Sequence, residues 1–284
     1  MINYFCPDFI EGLSIYKRII DIQEKFPKMC YDDSKIHTVF GNVTNLTWNG
    51  GSEYFGSRIS IEELDLTLNE YKKMGINIQF TMTNPLLENF DIYDRMGNEI
   101  LTMLAELYSD MVEILVVSPY LEEHIRNVYP ELKISKSIIA MKNDSDFLDI
   151  DLDKYEHIVL PIRCNENFDF LEEYSKNKRE KVEILCNDPC TIDCPRLYTH
   201  YNVFAERTLY HHCKEPVKCT NDKATFSRMD YPISRDRIKK EYEPLGYTNF
   251  KLSGRCNPLN IVTSVIPYFF KPEYHLTIVR ELLA

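Results

Sequence analysis

The chain has 284 residues, 44% of them hydrophobic, and a formal net charge of −11. That length suits one large α/β barrel of about 250 residues, and the apolar share is enough to build its core. Phosphate neutralisation needs clustered Lys and Arg, so the acidic balance excludes a general nucleic-acid-binding surface.

The N-terminal stretch MINYFCPDFIEGL is interrupted by Asp8 and Glu11 and has no basic segment ahead of an apolar one, unlike a secretory signal. No run approaches the ~20 apolar residues that span a bilayer. A cytoplasmic protein without membrane contact is expected. Residues 11–26 place Leu13, Tyr16, Ile19, Ile20 and Phe26 at helical spacing with one buried face. His37–Gly41 is short and β-rich and reads as the first strand.

The loop that follows holds Gly41, Gly50, Gly51 and Gly56, four of the nine glycines, and the sole tryptophan, Trp48. Glycines gather where backbone turns sharply or approaches a ligand. Trp48 and Asn49 are therefore candidates for a wall and a polar contact of an active-site mouth. The plainer reading is a surface loop with tight turns.

Ser60 and Glu63 fit a capping box, and the helix after them, with Leu64, Leu68 and Tyr71 on one face, ends at Gly75. Strand two is 76–83, broken by Asn84-Pro85. A helix over 95–108, strand three at 113–117, a short helix with Leu121 and Ile125, and strand four within 133–141 follow. His157–Pro161 is strand five, 167–177 a helix, and Val182–Asn187 strand six. Residues 224–229 read as strand seven, 235–245 as a helix ended by Gly246, and 249–252 as strand eight, with two helical stretches closing the chain. Strands alternating with helices argue for parallel strands and crossovers. Eight such units predict a (β/α)8 TIM-like barrel in a single domain, 1–284, with a cysteine-rich loop at 187–219. No GxGxxG or Walker sequence supports an open nucleotide-binding sheet.

In such a barrel, chemistry gathers at the carboxyl ends of the strands. Asn49, Asn84, Asn187 and Arg255 all follow strand ends, as does the cysteine-rich loop. Scattered Cys6, Cys30 and Cys164 read as small buried apolar residues. Cys190, Cys194, Cys213 and Cys219 are clustered, and in a reducing compartment a cluster points to metal or redox chemistry before disulfides. Thiolates select zinc or an iron–sulfur cluster, and the spacing leaves the two open. Cys186 and Cys256 compete for the fourth position. His200, on a helix beginning near Pro195, is a candidate general acid or base. Arg255 is a candidate clamp for a carboxylate or phosphate.

Two segments, ILCNDPCTIDCPRLYTHY and PLGYTNFKLSGR, resemble the bacterial collagenase-like peptidase family in order and separation. The match is good over 182–270 and is one of pattern only before that. The resemblance implies an α/β barrel. It also implies a [4Fe-4S] cluster, with Cys190, Cys194 and Cys213 matching the family's cluster cysteines. The family's fourth cysteine precedes the Lys-x-x-Gly-Arg strand, where this chain has ISRDRIKKEY and no cysteine.

Three readings follow. The first is an iron–sulfur enzyme that performs oxygen-independent hydroxylation or another modification of an RNA, a peptide chain end or a small molecule. Its pocket would be lined by Trp48, Asn49, Asn84, Asn187 and Arg255, with His200, Arg255 and Asn49 in catalytic roles. The second is a metal-dependent peptidase with zinc-bound water as nucleophile. The third is a non-catalytic barrel with a structural zinc, bound to a protein partner as a subunit of a complex.

Overall fold

The computed structural model describes residues 1–44, 46–50, 59–141, 143, 145–174, 176–188, 194, 196–210, 232–254 and 257–284. Eight parallel strands form a closed barrel in sequence order: β1 Ile2–Pro7, β2 Ser34–Gly41, β3 Asn77–Met82, β4 Val112–Val116, β5 Lys133–Lys136, β6 Ile158–Val159, β7 Val182–Leu185 and β8 Asn249–Lys251. The helices around them are α1 Leu13–Lys25, α2 Ile61–Met74, α3 Arg95–Tyr108, α4 Pro119–Val128, α5 Ser145–Leu148, α6 Phe168–Glu173, α7 Leu197–Tyr210, α8 Arg235–Arg237, α9 Pro258–Phe269 and α10 His275–Leu283. No described helix is long and apolar enough to cross a membrane.

The fold is the expected TIM-like barrel, but its strand count is reached differently. The first strand is β1, which the sequence reading passed over. Its six residues, INYFCP, are almost wholly buried and give no alternation of polar and apolar positions. The segment 224–229 lies outside the described residues, and the barrel closes without it because β7 pairs directly with β8. Residues 235–245 run as α8, a π-helical turn over Ile238–Tyr242 and a 3-10 turn, ended by Gly246.

Local signals fix the crossovers. The Ser60 hydroxyl caps Glu63 N while the Glu63 carboxylate accepts from Ser60 N, and Gly75 closes α2 in the left-handed region. Side chains of Asp94, Ser118 and Asn257 cap α3, α4 and α9. Successive strand residues face opposite sides. Tyr4, Cys6, Val39, Ile78, Phe80, Ile114, Val116, Ile134, Val182, Ile184 and Phe250 join the core between sheet and helices. The alternate positions, Phe5, Phe40, Gln79, Glu113, Ser135, Val159, Glu183 and Lys251, fill the barrel.

Candidate functional site

At the carboxyl-end rim, asparagines in the segments that follow several strands brace the backbone through their amides. Asn42 Nδ2 donates to Thr81 O at 3.3 Å, and Asn165 Nδ2 to Leu185 O at 2.8 Å. Asn187 donates to Ser253 O at 3.0 Å and accepts from Ser253 N, so it bridges the ends of β7 and β8. Asn84 Nδ2 reaches Thr47 O at 3.0 Å and Ala205 O at 3.4 Å, and its Oδ1 accepts from Leu86 N at 2.9 Å. The structure therefore brings Asn84 and Asn187 to the rim as expected but engages both ends of each amide in bracing backbone. Asn49 Nδ2 is held by Val43 O. Trp48 is fully buried, with Nε1 donating to Asp91 O at 2.8 Å and its ring against Gly97 of α3. Trp48 is packing between loop and helix, because the turn at 46–49 folds the indole inward instead of leaving it as a pocket wall.

Some rim atoms lack partners. The buried Oδ1 atoms of Asn42, Asn49 and Asn165 have none, and neither does Nε2 of His200. Burial and then the nearby Arg196 lower the His200 pKa, so its imidazole is neutral at pH 7. His200 lies on α7, as expected of a helix starting near Pro195. This helix packs across the carboxyl ends of β3, β4 and β5. Tyr201 sits with Val117 and Ile139 in a small cluster separate from the main core. Tyr198 OH donates to Met141 O at 2.6 Å, and Ala205 O takes the Asn84 amide.

Of the proposed thiol ligands, Cys194 is described; it is free and partly buried, just ahead of α7. Cys190, Cys213, Cys219, Cys256 and Arg255 lie outside the described residues. Cys186 is withdrawn from the alternatives for the fourth ligand. It is 2% exposed in the sheet–helix core, its Sγ is 3.6 Å from Ile184 O, and burial raises its thiol pKa well above the ordinary value.

The Lys-x-x-Gly-Arg segment divides its work. Gly254 has φ of 152°, and a Cβ there would lie 2.2 Å from Ser264 Oγ and 2.8 Å from Asn260 O, so the chain past β8 presses against α9. Lys251 points into the barrel, where its Nζ is 2.9 Å from Glu183 Oε2, bonded to Gln79 Oε1 and 4.4 Å from the Phe40 ring centre.

Around it is a buried polar layer that the sequence reading missed. Gln79 Nε2 donates to Glu113 Oε1 at 2.9 Å and to Glu183 Oε1. Glu113 Oε2 takes the Ser135 hydroxyl and His157 Nδ1, the latter at 2.8 Å. Burial opposes the charge on His157, but Glu113, Glu183 and Glu156 outweigh it and lift the pKa to about 8. Burial likewise opposes the Glu113 carboxylate, yet His157 and three hydrogen bonds hold its pKa below the ordinary value. Two carboxylates thus face one ammonium and one imidazolium. The only signal was a polar residue at inward positions of otherwise apolar strands.

Fold and register define the class: a closed (β/α)8 barrel with Cys194 and α7 at its carboxyl-end face. The chain is similar to proteins whose descriptions name a protease and a U32 peptidase. No protein-family model matches it. It is 25% identical over 227 residues to a Methanocaldococcus jannaschii protein described as an uncharacterized protease, MJ1657. That match covers 76% of this chain and 66% of the relative, just under two thirds of its length. A solved structure described as the U32 peptidase Mk0906 superimposes with a TM-score of 0.54 at 17% identity, covering 90% of this chain and 93% of that one. At that identity the likeness establishes the fold.

Proposed function

We propose that this barrel is an enzyme whose chemistry takes place at the carboxyl-end mouth beneath α7, close to a [4Fe-4S] cluster held by Cys190, Cys194, Cys213 and Cys219. The observation that carries the reading is the placement of α7. It lies across the ends of β3, β4 and β5 with Cys194 at its start and the unpartnered, neutral His200 one turn in. A free, partly exposed thiol at a rim fits a thiolate ligand set, whereas a core thiol such as Cys186 does not. When bound, the cluster supplies electron transfer or Lewis acidity. His200 then serves as the base or acid beside it, and Arg255 as the anchor for an anionic group of a small-molecule or chain-end substrate. Anaerobic purification is expected to give a brown protein with about four irons per chain, and Cys194→Ser to lose most of that iron. Colourless protein without iron after anaerobic reconstitution overturns the reading.

Peptide hydrolysis is the second reading, favoured by the descriptions of the two similar proteins as a protease and a U32 peptidase. A metal ion with an open position at the same thiols, zinc among them, would activate water there. It predicts chelator-sensitive cleavage of unstructured peptides. A closed four-thiolate zinc site, with no cleavage, favours instead a structural role within a complex with a protein partner.

A further inference from the structure

On the outer flank of the barrel, the segment that leads from β3 into α3 holds two large aromatic rings in solvent. Phe90 is 67% exposed and Tyr93 75% exposed. The turn that carries them is braced by hydrogen bonds. Trp48 Nε1 donates to Asp91 O at 2.8 Å, and Thr47 Oγ1 to Asp94 Oδ2 at 2.9 Å. Asp91 Oδ2 accepts from Glu88 N and Asp94 Oδ1 from Gly97 N, each at 2.7 Å. Asn98 Nδ2 donates to Ile92 O and to Asp94 O, both at 2.8 Å, while its Oδ1 accepts from His124 Nε2 of α4 at 2.7 Å. Beside the turn, Arg95, Asn98, Glu99 and Thr102 form one stripe of α3, and with Tyr93 they line a groove of about 490 Å³.

Single exposed apolar residues are ordinary on a protein surface. Two rings on one braced turn beside a groove are different, because covering them demands little ordering of this chain. The charge around them selects what can cover them. From Glu88 to Glu99 the sequence has four carboxylates, Glu88, Asp91, Asp94 and Glu99, and one cation, Arg95, which lies 3.5 Å from Glu99. Carboxylates beside aromatic faces attract Lys and Arg, through ion pairing and cation–π contact. They repel phosphates and anionic lipid surfaces, and they repel a second copy of this chain, whose net charge is −11. We propose that this flank is a docking site for a partner protein, bound through an extended basic segment. Apolar side chains of that segment cover Phe90 and Tyr93, and its Arg or Lys side chains meet Glu88 and Glu99. The site is separate from the carboxyl-end mouth and does not depend on a cluster there.

Fluorescence anisotropy of the full chain with a fluorescein-labelled peptide of alternating Arg and Leu tests this, against the same peptide with Glu in place of Arg. The Arg peptide should bind and the Glu peptide should not. Phe90→Ser combined with Tyr93→Ser should weaken the binding by about tenfold, with an unchanged thermal melt because both rings are exposed. Glu88→Gln combined with Glu99→Gln should also weaken it and flatten its dependence on salt. Undiminished affinity in the aromatic variant marks the attraction as one of overall charge and overturns the proposal. Equal binding of the two peptides, or binding of neither, overturns it too. So does sedimentation in which the chain self-associates and the aromatic variant does not, which makes this flank an interface between copies.

Discussion

The two ends of this barrel handle buried polarity in opposite ways. In the amino-terminal half, Gln79, Glu113, Ser135, His157, Glu183 and Lys251 pair with one another, and none of their buried polar atoms is left over. At the carboxyl-end rim, Asn42, Asn49, Asn165 and His200 each keep one buried atom without a partner. Closed networks specify a structure, whereas buried atoms left open cost free energy that a structural role does not explain. The difference teaches that ionisable groups alone do not mark the working end. The most charged part of this interior holds the barrel together, and the less charged rim is where α7 carries the candidate chemistry.

The sharpest way to break that contrast is Lys251→Met. It strands the Glu183 carboxylate, which is 0% exposed, and removes a donor from Gln79. Removing one partner of a buried pair costs about 3–5 kcal/mol, read as a lower urea midpoint at constant slope. Lys251→Met combined with Glu183→Leu should recover much of that loss. Failure of the double variant to recover would mean that Lys251 does more than neutralise Glu183.

Gly254→Ala tests the rim. A side chain at φ of 152° is strained, and its Cβ would meet Ser264 and Asn260 of α9. The expected loss is about 2 kcal/mol. An unchanged midpoint would show that α9 can retreat from the end of β8.

The interior network should also titrate. His157 sits above its ordinary 6.5 in the folded chain, so the stabilisation it gives is complete below pH 6.5 and is lost as pH rises through about 8. The loss amounts to about 2 kcal/mol. In Glu113→Gln the decline over this window should largely disappear, because the carboxylate that raises His157 is gone. A stability curve that is flat from pH 6 to 9 in the parent protein would remove the charged pair from the network.

How much of this was legible in the sequence depends on the range of the signal. The capping box of α2 and the glycine stops at Gly75 and Gly246 are local chemistry and read directly. The alternation of strands and helices gave the barrel, because parallel strands need crossovers. β1 escaped because burial on both faces erases the period of two. The inner layer escaped for a different reason: Glu113 or Gln79 on an isolated strand reads as a solvent face, and only closure of the ring turns it inward. Trp48 misled because a glycine-rich loop near a strand end looks the same from sequence whether it opens onto a ligand or packs against α3.

The smallest effect concerns α7 itself. Its buried residues are Tyr201, which sits in a cluster apart from the main core, and Ala205, while partly buried Leu209 packs against that core. Tyr198→Phe deletes one hydrogen bond, to Met141 O, worth about 1 kcal/mol. If α7 opens on its own, that loss appears as faster amide exchange confined to 197–210, with no change in the global melting midpoint. A helix that covers a reactive mouth and must admit a substrate needs this independence. A helix that serves only as part of the barrel's outer layer does not, and in that case the same substitution would lower global stability and leave the exchange pattern of α7 in step with the rest of the chain.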